Sequence, residues 1–211
     1  MKPLESARLY GILDLGYVKL DAVEEMAEQM VAGGVGIAQL RAKERSREEI
    51  LEAGRVMRPV FRRAQIPWVV NDHVNLALEL EADGVHVGQD DTGVEAVRAA
   101  GPANWIVGKS THSIEQARAA MLEKPDYIGF GPLFATPTKP DYQEIGLQNI
   151  GEVEKFSEIP VFCIGGIKLE NVEKVLAAGG KRVVIVSGIL QAEQPAEYCR
   201  AVKMKLRDLE K

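Results

Sequence analysis

Short apolar runs alternate with longer amphipathic stretches along the chain, and the alternation recurs eight times with no low-complexity linker to divide it. The runs predict strands over 8–13, 36–41, 68–71, 84–87, 105–110, 127–130, 161–164 and 182–187. Most are apolar on successive positions, as strands covered on both faces are; a strand with one wet face would alternate apolar with polar. Between them the spacing turns helical. Val23, Met26, Ala27, Met30 and Val31 recur at helical intervals before Gly33 and Gly34, and Val172, Val175 and Leu176 do so before Gly179 and Gly180. Glycine just past the last periodic position is a helix stop.

Eight strand-helix units in 211 residues leave about 26 residues per unit, enough for a (β/α)8 TIM barrel with short loops. The expected fold is therefore α/β, a single compact TIM-barrel domain over 1–211, with its active site at the C-terminal ends of the strands. An open doubly wound sheet is the competing arrangement. It would have fewer strands, and its dinucleotide-binding form needs a GxGxxG turn that Gly11-Ile12-Leu13-Asp14-Leu15-Gly16 does not supply.

The barrel expectation is sharpened by where the polar residues fall. Gln39, Arg41 and Lys43 end the second run, Asn71 and Asp72 the third, and Gln89 to Asp91 follow the fourth. Ser110 to His112 end the fifth, Thr136 to Lys139 follow the sixth, and Gly165-Gly166 and Ser187-Gly188 follow the last two. The strand starts are apolar or small, with Ile66-Pro67 and Ile159-Pro160 as stops.

Composition narrows the class. Hydrophobic residues make up 46% and charged residues 27%, and 26 basic residues against 31 acidic give a net charge of −5. That balance argues against a nonspecific nucleic-acid binder. The longest strongly apolar stretches, such as 183–186, are far short of the roughly 20 residues a membrane span needs. Cys163 and Cys199 stand in no metal-ligand or disulfide-framework spacing. A soluble, cytoplasmic protein without membrane or nucleic-acid partners is expected.

Gln39, Arg41 and Lys43 alternate with period two, so they point one way while Leu40 points the other. Converging cations suit an oligophosphate; a salt-bridge layer inside the barrel is the alternative, since buried Arg41 and Lys43 need carboxylate or phosphate partners. Asp72 and Asp91 suit a hard divalent cation such as Mg2+, which takes few protein carboxylates, or they cap the following helices. A hydrolase triad around Ser110-Thr111-His112 is disfavoured because neighbours on an extended segment diverge. Ser110 reads as a hydrogen-bonding group, and His112 or Ser113 as a helix cap. His86 alternates with Val85 and Val87 and should point into the barrel. The irregular stretch from Gly131, with Thr136, Pro137, Thr138 and Lys139, suits a lid over a phosphorylated substrate, or is a surface loop. Gly165-Gly166 and Ser187-Gly188, each leading into a helix, fit the phosphate site of such barrels.

Taken in order, QLRAK (39–43), VVNDHVNLAL (69–78), ADGVHVGQDD (82–91), GKSTHS (108–113), DYIGFGPLFATPTK (126–139), IPVFCIGGI (159–167) and VVIVSGI (183–189) resemble the thiamine-phosphate synthase family. The resemblance runs over about 10–190. It implies a transferase joining 4-amino-2-methyl-5-(diphosphooxymethyl)pyrimidine to a 4-methyl-5-(2-phosphoethyl)thiazole, in its 2-carboxylated form, with release of pyrophosphate through a pyrimidine cation. It further implies that Gln39, Arg41, Lys43, Asn71 and Lys139 contact the pyrimidine diphosphate and that Asp72 and Asp91 hold Mg2+. Ser110 would lie beside the reacting pyrimidine, with His86 and Tyr10 enclosing its ring. Thr136, Pro137 and Thr138 would meet the thiazole, and Gly166, Val186 and Ser187 its phosphate. Arg41, Lys43, Lys139 and Ser110 would carry the catalysis, with homodimer formation left open.

Three positions depart from the family pattern. Ala42 and Asp90 stand where glutamate is usual, and Lys109 adds a cation that either tunes substrate preference or is solvated at the barrel rim. Two alternatives differ from the synthase. A thiazole tautomerase of the same barrel would carry histidine where this chain has Pro132, and a noncatalytic phosphate sensor would not need both carboxylates and Lys139.

Overall fold

The structure is a computed structural model and describes residues 4–136 and 143–207. Strands and helices alternate as β1 (Leu9–Asp14), α1 (Val23–Ala32), β2 (Ile37–Arg41), α2 (Arg47–Ala64), β3 (Trp68–Asn71), α3 (Val74–Glu79), β4 (Gly84–Val87) and α4 (Val94–Ala100). The second half continues as β5 (Ile106–Thr111), α5 (Ile114–Glu123), β6 (Tyr127–Phe130), α6 (Ile150–Phe156), β7 (Val161–Cys163), α7 (Val172–Ala177), β8 (Val183–Ile185), α8 (Ser187–Leu190) and α9 (Pro195–Arg207). The strands pair in chain order, all parallel, and β8 closes on β1 with Tyr10 opposite Val184. This is the eight-stranded closed barrel that the pattern predicts. Strand ends differ by one to two residues: β5 runs on through Thr111, whereas β7 and β8 stop at Cys163 and Ile185. The early stop of β7 follows from Gly165 and Gly166, whose φ values of +96° and +63° leave the strand conformation.

Alternation divides the core in two. Tyr10, Ile12, Ile37, Val69, Tyr127, Phe162 and Val184 point to the axis and fill the barrel interior. Their neighbours, among them Leu13, Leu40, Val70, Val85, Val107, Ile128 and Ile185, point outward against the helices. Both faces are dry, which is why the runs are apolar at successive positions. α1 stops at Gly33-Gly34 as its pattern predicts, with Gly34 at φ +80°. α2 and α5 stop instead on Gln65 and Lys124, each held left-handed at φ 56°, a stop with no glycine to announce it.

Lys109 is not solvated at the rim. Its side chain points outward from β5 into the layer between sheet and helices, is 4% exposed and pairs with Glu123 at 3.7 Å. The strand runs one residue past Ser110, so alternation places Ser110 on the axis side and Lys109 on the helix side. Ala42, just past β2, is buried in the same outer layer. Among the described residues no helix is long and apolar enough to cross a membrane.

Candidate active site

Inward positions of the first five strands come together around one cavity. Tyr10 of β1, Gln39 and Arg41 of β2, Asn71 of β3, His86 of β4 and Ser110 of β5 line it, and Gly165, Gly166, Val186, Ser187 and Thr136 complete the wall. Period-two alternation puts these side chains on the axis, and the parallel register brings residues far apart in sequence to the same level. Pro137, Thr138 and Lys139 lie outside the described residues.

Two ion pairs stand beside the cavity, and of their members only Arg41 lines it. Arg41 pairs with Asp14, the residue opposite it in the β1–β2 register, and Asp14 also accepts the Gly16 N–H at 2.8 Å. Arg41 thus belongs both to a salt bridge inside the barrel and to the cavity wall. At the rim, Lys43 stands 3.4 Å from Asp72. The Asp72 carboxyl is pushed above the usual carboxylate range, first by burial and then by its hydrogen bond to the Asp91 carboxyl, while Lys43 pulls the other way. Asp91 in turn accepts the Gly88 N–H at 2.8 Å. Neither aspartate caps a helix. The N-cap residues of α3 and α4 are His73 and Gly93, and neither makes a side-chain cap bond. Asp72 instead sits at φ 62°, a turn that aims its carboxyl at Lys43 and Asp91.

Side-chain hydrogen bonds run across the middle of the barrel. Gln39 Nε2 donates to the Tyr10 hydroxyl at 2.6 Å, and the Tyr10 and Tyr127 hydroxyls are 2.9 Å apart. His86 links the Tyr127 hydroxyl at Nδ1 (3.0 Å) to Ser110 Oγ at Nε2 (2.9 Å). The expectation that Ser110, Thr111 and His112 diverge holds: Thr111 bonds the Gly129 carbonyl at 3.0 Å, His112 bonds the Gly131 carbonyl, and Ser113 caps α5 through the Gln116 N–H. The imidazole beside Ser110 is His86, from the neighbouring strand.

On the β7–β8 side, Gly165 and Gly166 allow a close approach of the chain that follows β6. Leu133 donates to the Ile164 carbonyl at 2.9 Å and Phe134 to the Gly165 carbonyl at 3.1 Å. A Cβ on Gly166 would stand 2.6 Å from the Ala135 carbonyl oxygen. Val186 and Ser187 open α8 on the same wall.

A profile described as thiamine monophosphate synthase matches residues 9–189. The chain belongs to this family. It is a transferase, as the family's members are. A thiamine-phosphate synthase from Halalkalibacterium halodurans is 40% identical over 193 residues, covering 91% of this chain and 92% of its own. One from Thermus thermophilus is 42% identical over 190 residues, covering 89% and 90%. Among solved structures, a thiamine phosphate pyrophosphorylase from Pyrococcus furiosus superposes with a TM-score of 0.85 at 30% identity over 96% of both chains. A 3-hexulose-6-phosphate synthase, at 18% identity and a TM-score of 0.67, shares the barrel alone.

Within this family member, three residues that the sequence reading passed over shape the cavity. Asp14 was visible in principle, since it lies at the period-two spacing of Tyr10 and Ile12 on β1. Tyr127 and Phe162 read as core apolar positions, and nothing local distinguishes a tyrosine that packs from one that also bonds His86. Space for Tyr127 depends on Gly108, where a Cβ would lie 2.1 Å from the phenol Cζ. Among the described residues no group of three or more His, Cys, Asp or Glu gathers as a metal cluster. Asp72 and Asp91 are a two-carboxylate donor set, of the kind that Mg2+ completes with water and substrate phosphate oxygens.

Proposed function

We propose that the chain condenses 4-amino-2-methyl-5-(diphosphooxymethyl)pyrimidine with 4-methyl-5-(2-phosphoethyl)thiazole to give thiamine phosphate and pyrophosphate. The observation that carries this reading is the meeting of Gln39, Arg41, Asn71, His86 and Ser110, from four successive strands, with Gly166, Val186 and Ser187 around one cavity. One wall offers a guanidinium and hydrogen-bond donors suited to a diphosphate, and the other offers glycine backbone and a helix start suited to a monophosphate.

In this reading Arg41, Lys43 and Lys139 bind the diphosphate and stabilise the charge that develops as it departs, which is electrostatic catalysis without a protein nucleophile. Asn71 and Gln39 orient it. Tyr10, His86 and Ser110 enclose the pyrimidine, whose methylene cation is then captured by the thiazole nitrogen. Thr136, Pro137 and Thr138 cover the thiazole, and Gly166, Val186 and Ser187 hold its phosphate. Asp72 and Asp91 would hold Mg2+, which when bound supplies further neutralisation of the departing diphosphate. The raised Asp72 carboxyl supports that role, because two carboxyls brought together at a partly buried site are relieved by a cation. Both substrates are charged phosphate esters, so the activity belongs in the cytoplasm.

The test is direct. Purified protein incubated with the pyrimidine diphosphate, thiazole phosphate and Mg2+ should release thiamine phosphate and pyrophosphate in equal amounts, with the 2-carboxylated thiazole phosphate run in parallel. Absence of both products would point to a tautomerase or a sensor. Asp91→Ala and Lys139→Ala should each lower kcat by about a hundredfold or more while far-ultraviolet circular dichroism stays unchanged. Near-normal turnover in both would sink the assignment of charge stabilisation to these residues.

A further inference from the structure

An unbroken row of hydrogen bonds crosses the barrel from Gln39 through Tyr10, Tyr127 and His86 to Ser110. Its direction is set by which groups can donate. The Gln39 N–H only donates, so the Tyr10 oxygen accepts there. A phenol has one proton, and Tyr127 is the only other polar partner of Tyr10 among the described residues, so that proton goes to the Tyr127 oxygen. Tyr127 must then pass its own proton to His86 Nδ1, leaving Nε2 to carry the imidazole proton and donate it to Ser110 Oγ. Burial pushes both phenols well above their ordinary range, so both remain proton donors. The two rings at the turning point are stacked, 5.5 Å apart and inclined by 29°. With its oxygen accepting from His86, Ser110 keeps its own proton for the cavity that it lines.

We propose that this row is a directional relay, anchored by the Gln39 amide, that holds His86 in the Nε2–H tautomer and so presents Ser110 to the ligand as a proton donor. The ligand atom it selects is an acceptor, an unprotonated ring nitrogen of the pyrimidine rather than the exocyclic amino group. Gln39, Tyr10 and Tyr127 act on Ser110 as positioning residues, in addition to any contact that Gln39 and Tyr10 make themselves. The relay stands on geometry alone; the identity of the ligand atom rests on the pyrimidine reading given above.

Long-range proton–nitrogen NMR on the full ligand-free chain at mildly alkaline pH reads the tautomer directly. Only three histidines contribute. His112 supplies an internal reference of opposite pattern, since its Nδ1 faces the Gly131 carbonyl, which can only accept. His86 should show the Nε2–H pattern in the unmodified protein and an averaged pattern in Tyr127→Phe and Gln39→Met. An Nδ1–H or averaged pattern in the unmodified protein would overturn the relay, as would an unchanged pattern in both variants. If a variant does not fold, the unmodified protein still decides.

Calorimetry tests the ligand atom. The probes are 4-amino-5-hydroxymethyl-2-methylpyrimidine and its benzene analogue, with C–H in place of both ring nitrogens. The analogue should bind at least about tenfold more weakly to the unmodified protein, and Ser110→Ala should bring the two to within about twofold. Equal binding to the unmodified protein would overturn the donor role. No binding of the pyrimidine would overturn the pyrimidine reading of the cavity, and the tautomer pattern would still judge the relay.

Discussion

Asp14 and Arg41 face each other across β1 and β2 at the mouth of the barrel, and each is mostly shielded from water. A charge in such a place needs its partner, because its hydration is lost whether or not the pair forms. Asp14→Ala would leave the guanidinium without its carboxylate and the Gly16 N–H without its acceptor. The expected cost is about 3 kcal/mol, read from urea unfolding, together with a rise in KM for the pyrimidine diphosphate as Arg41 loses its fixed orientation. A loss below about 1 kcal/mol would mean that water screens the pair as it does at a surface. Gln39 and Arg41 were legible from period two along β2, and so were Asn71, His86 and Ser110, whereas Lys43 lies past the strand end in a turn and reaches Asp72 from the rim. The carboxylate that fixes Arg41 was not legible, because a pairing across two strands depends on their register.

At the scale of the element, β5 shows what alternation decides. Gly108 and Ser110 face the axis, and Lys109 faces the helices and reaches Glu123. A buried lysine in an ion pair is weak evidence for stability, since apolar replacement of similar volume commonly costs little. Lys109→Met should therefore change unfolding stability by less than about 1 kcal/mol. It should also leave kcat and KM within about twofold, because the side chain points away from the cavity. A shift in KM beyond that would restore a role in substrate preference. The helix stops carry the same lesson. Gly33-Gly34 was readable as the end of α1, whereas Gln65 and Lys124 end α2 and α5 in a left-handed conformation that neither residue favours, so no local residue type announces those ends.

Across the whole molecule, the strands close the barrel through the β8–β1 pairing, and the C-terminal helix packs against β1 beside it. α9 lies over α1, α7, α8 and β1 with Ala196, Cys199, Val202 and Leu206 buried. Its approach to α1 is tight: a Cβ on Gly33 would stand 2.4 Å from the Cys199 Cβ. Removing 195–211 would strip away burial worth roughly 6 kcal/mol, comparable with the 5–15 kcal/mol that holds a typical domain together. The truncated chain should therefore lose cooperative unfolding in urea followed by circular dichroism. A sharp transition near that of the full chain would show that the barrel closes without α9. The net charge of −5 does not describe the barrel mouth, where Arg41 and Lys43 are each paired with a carboxylate, of Asp14 and Asp72.

The eight units, their order, the face each strand residue shares with its neighbours two positions away, and the family are all written in the amino-acid sequence. All of these follow from short-range periodicity and contiguous motifs. That Asp14 holds Arg41, that the partner of Ser110 is His86, that Tyr127 links His86 to Tyr10, and that Lys109 is buried emerge only in the folded barrel. Each of those contacts joins residues on different elements, and which ones meet is set by the stagger with which eight strands close on themselves, a quantity that no stretch of the chain contains alone.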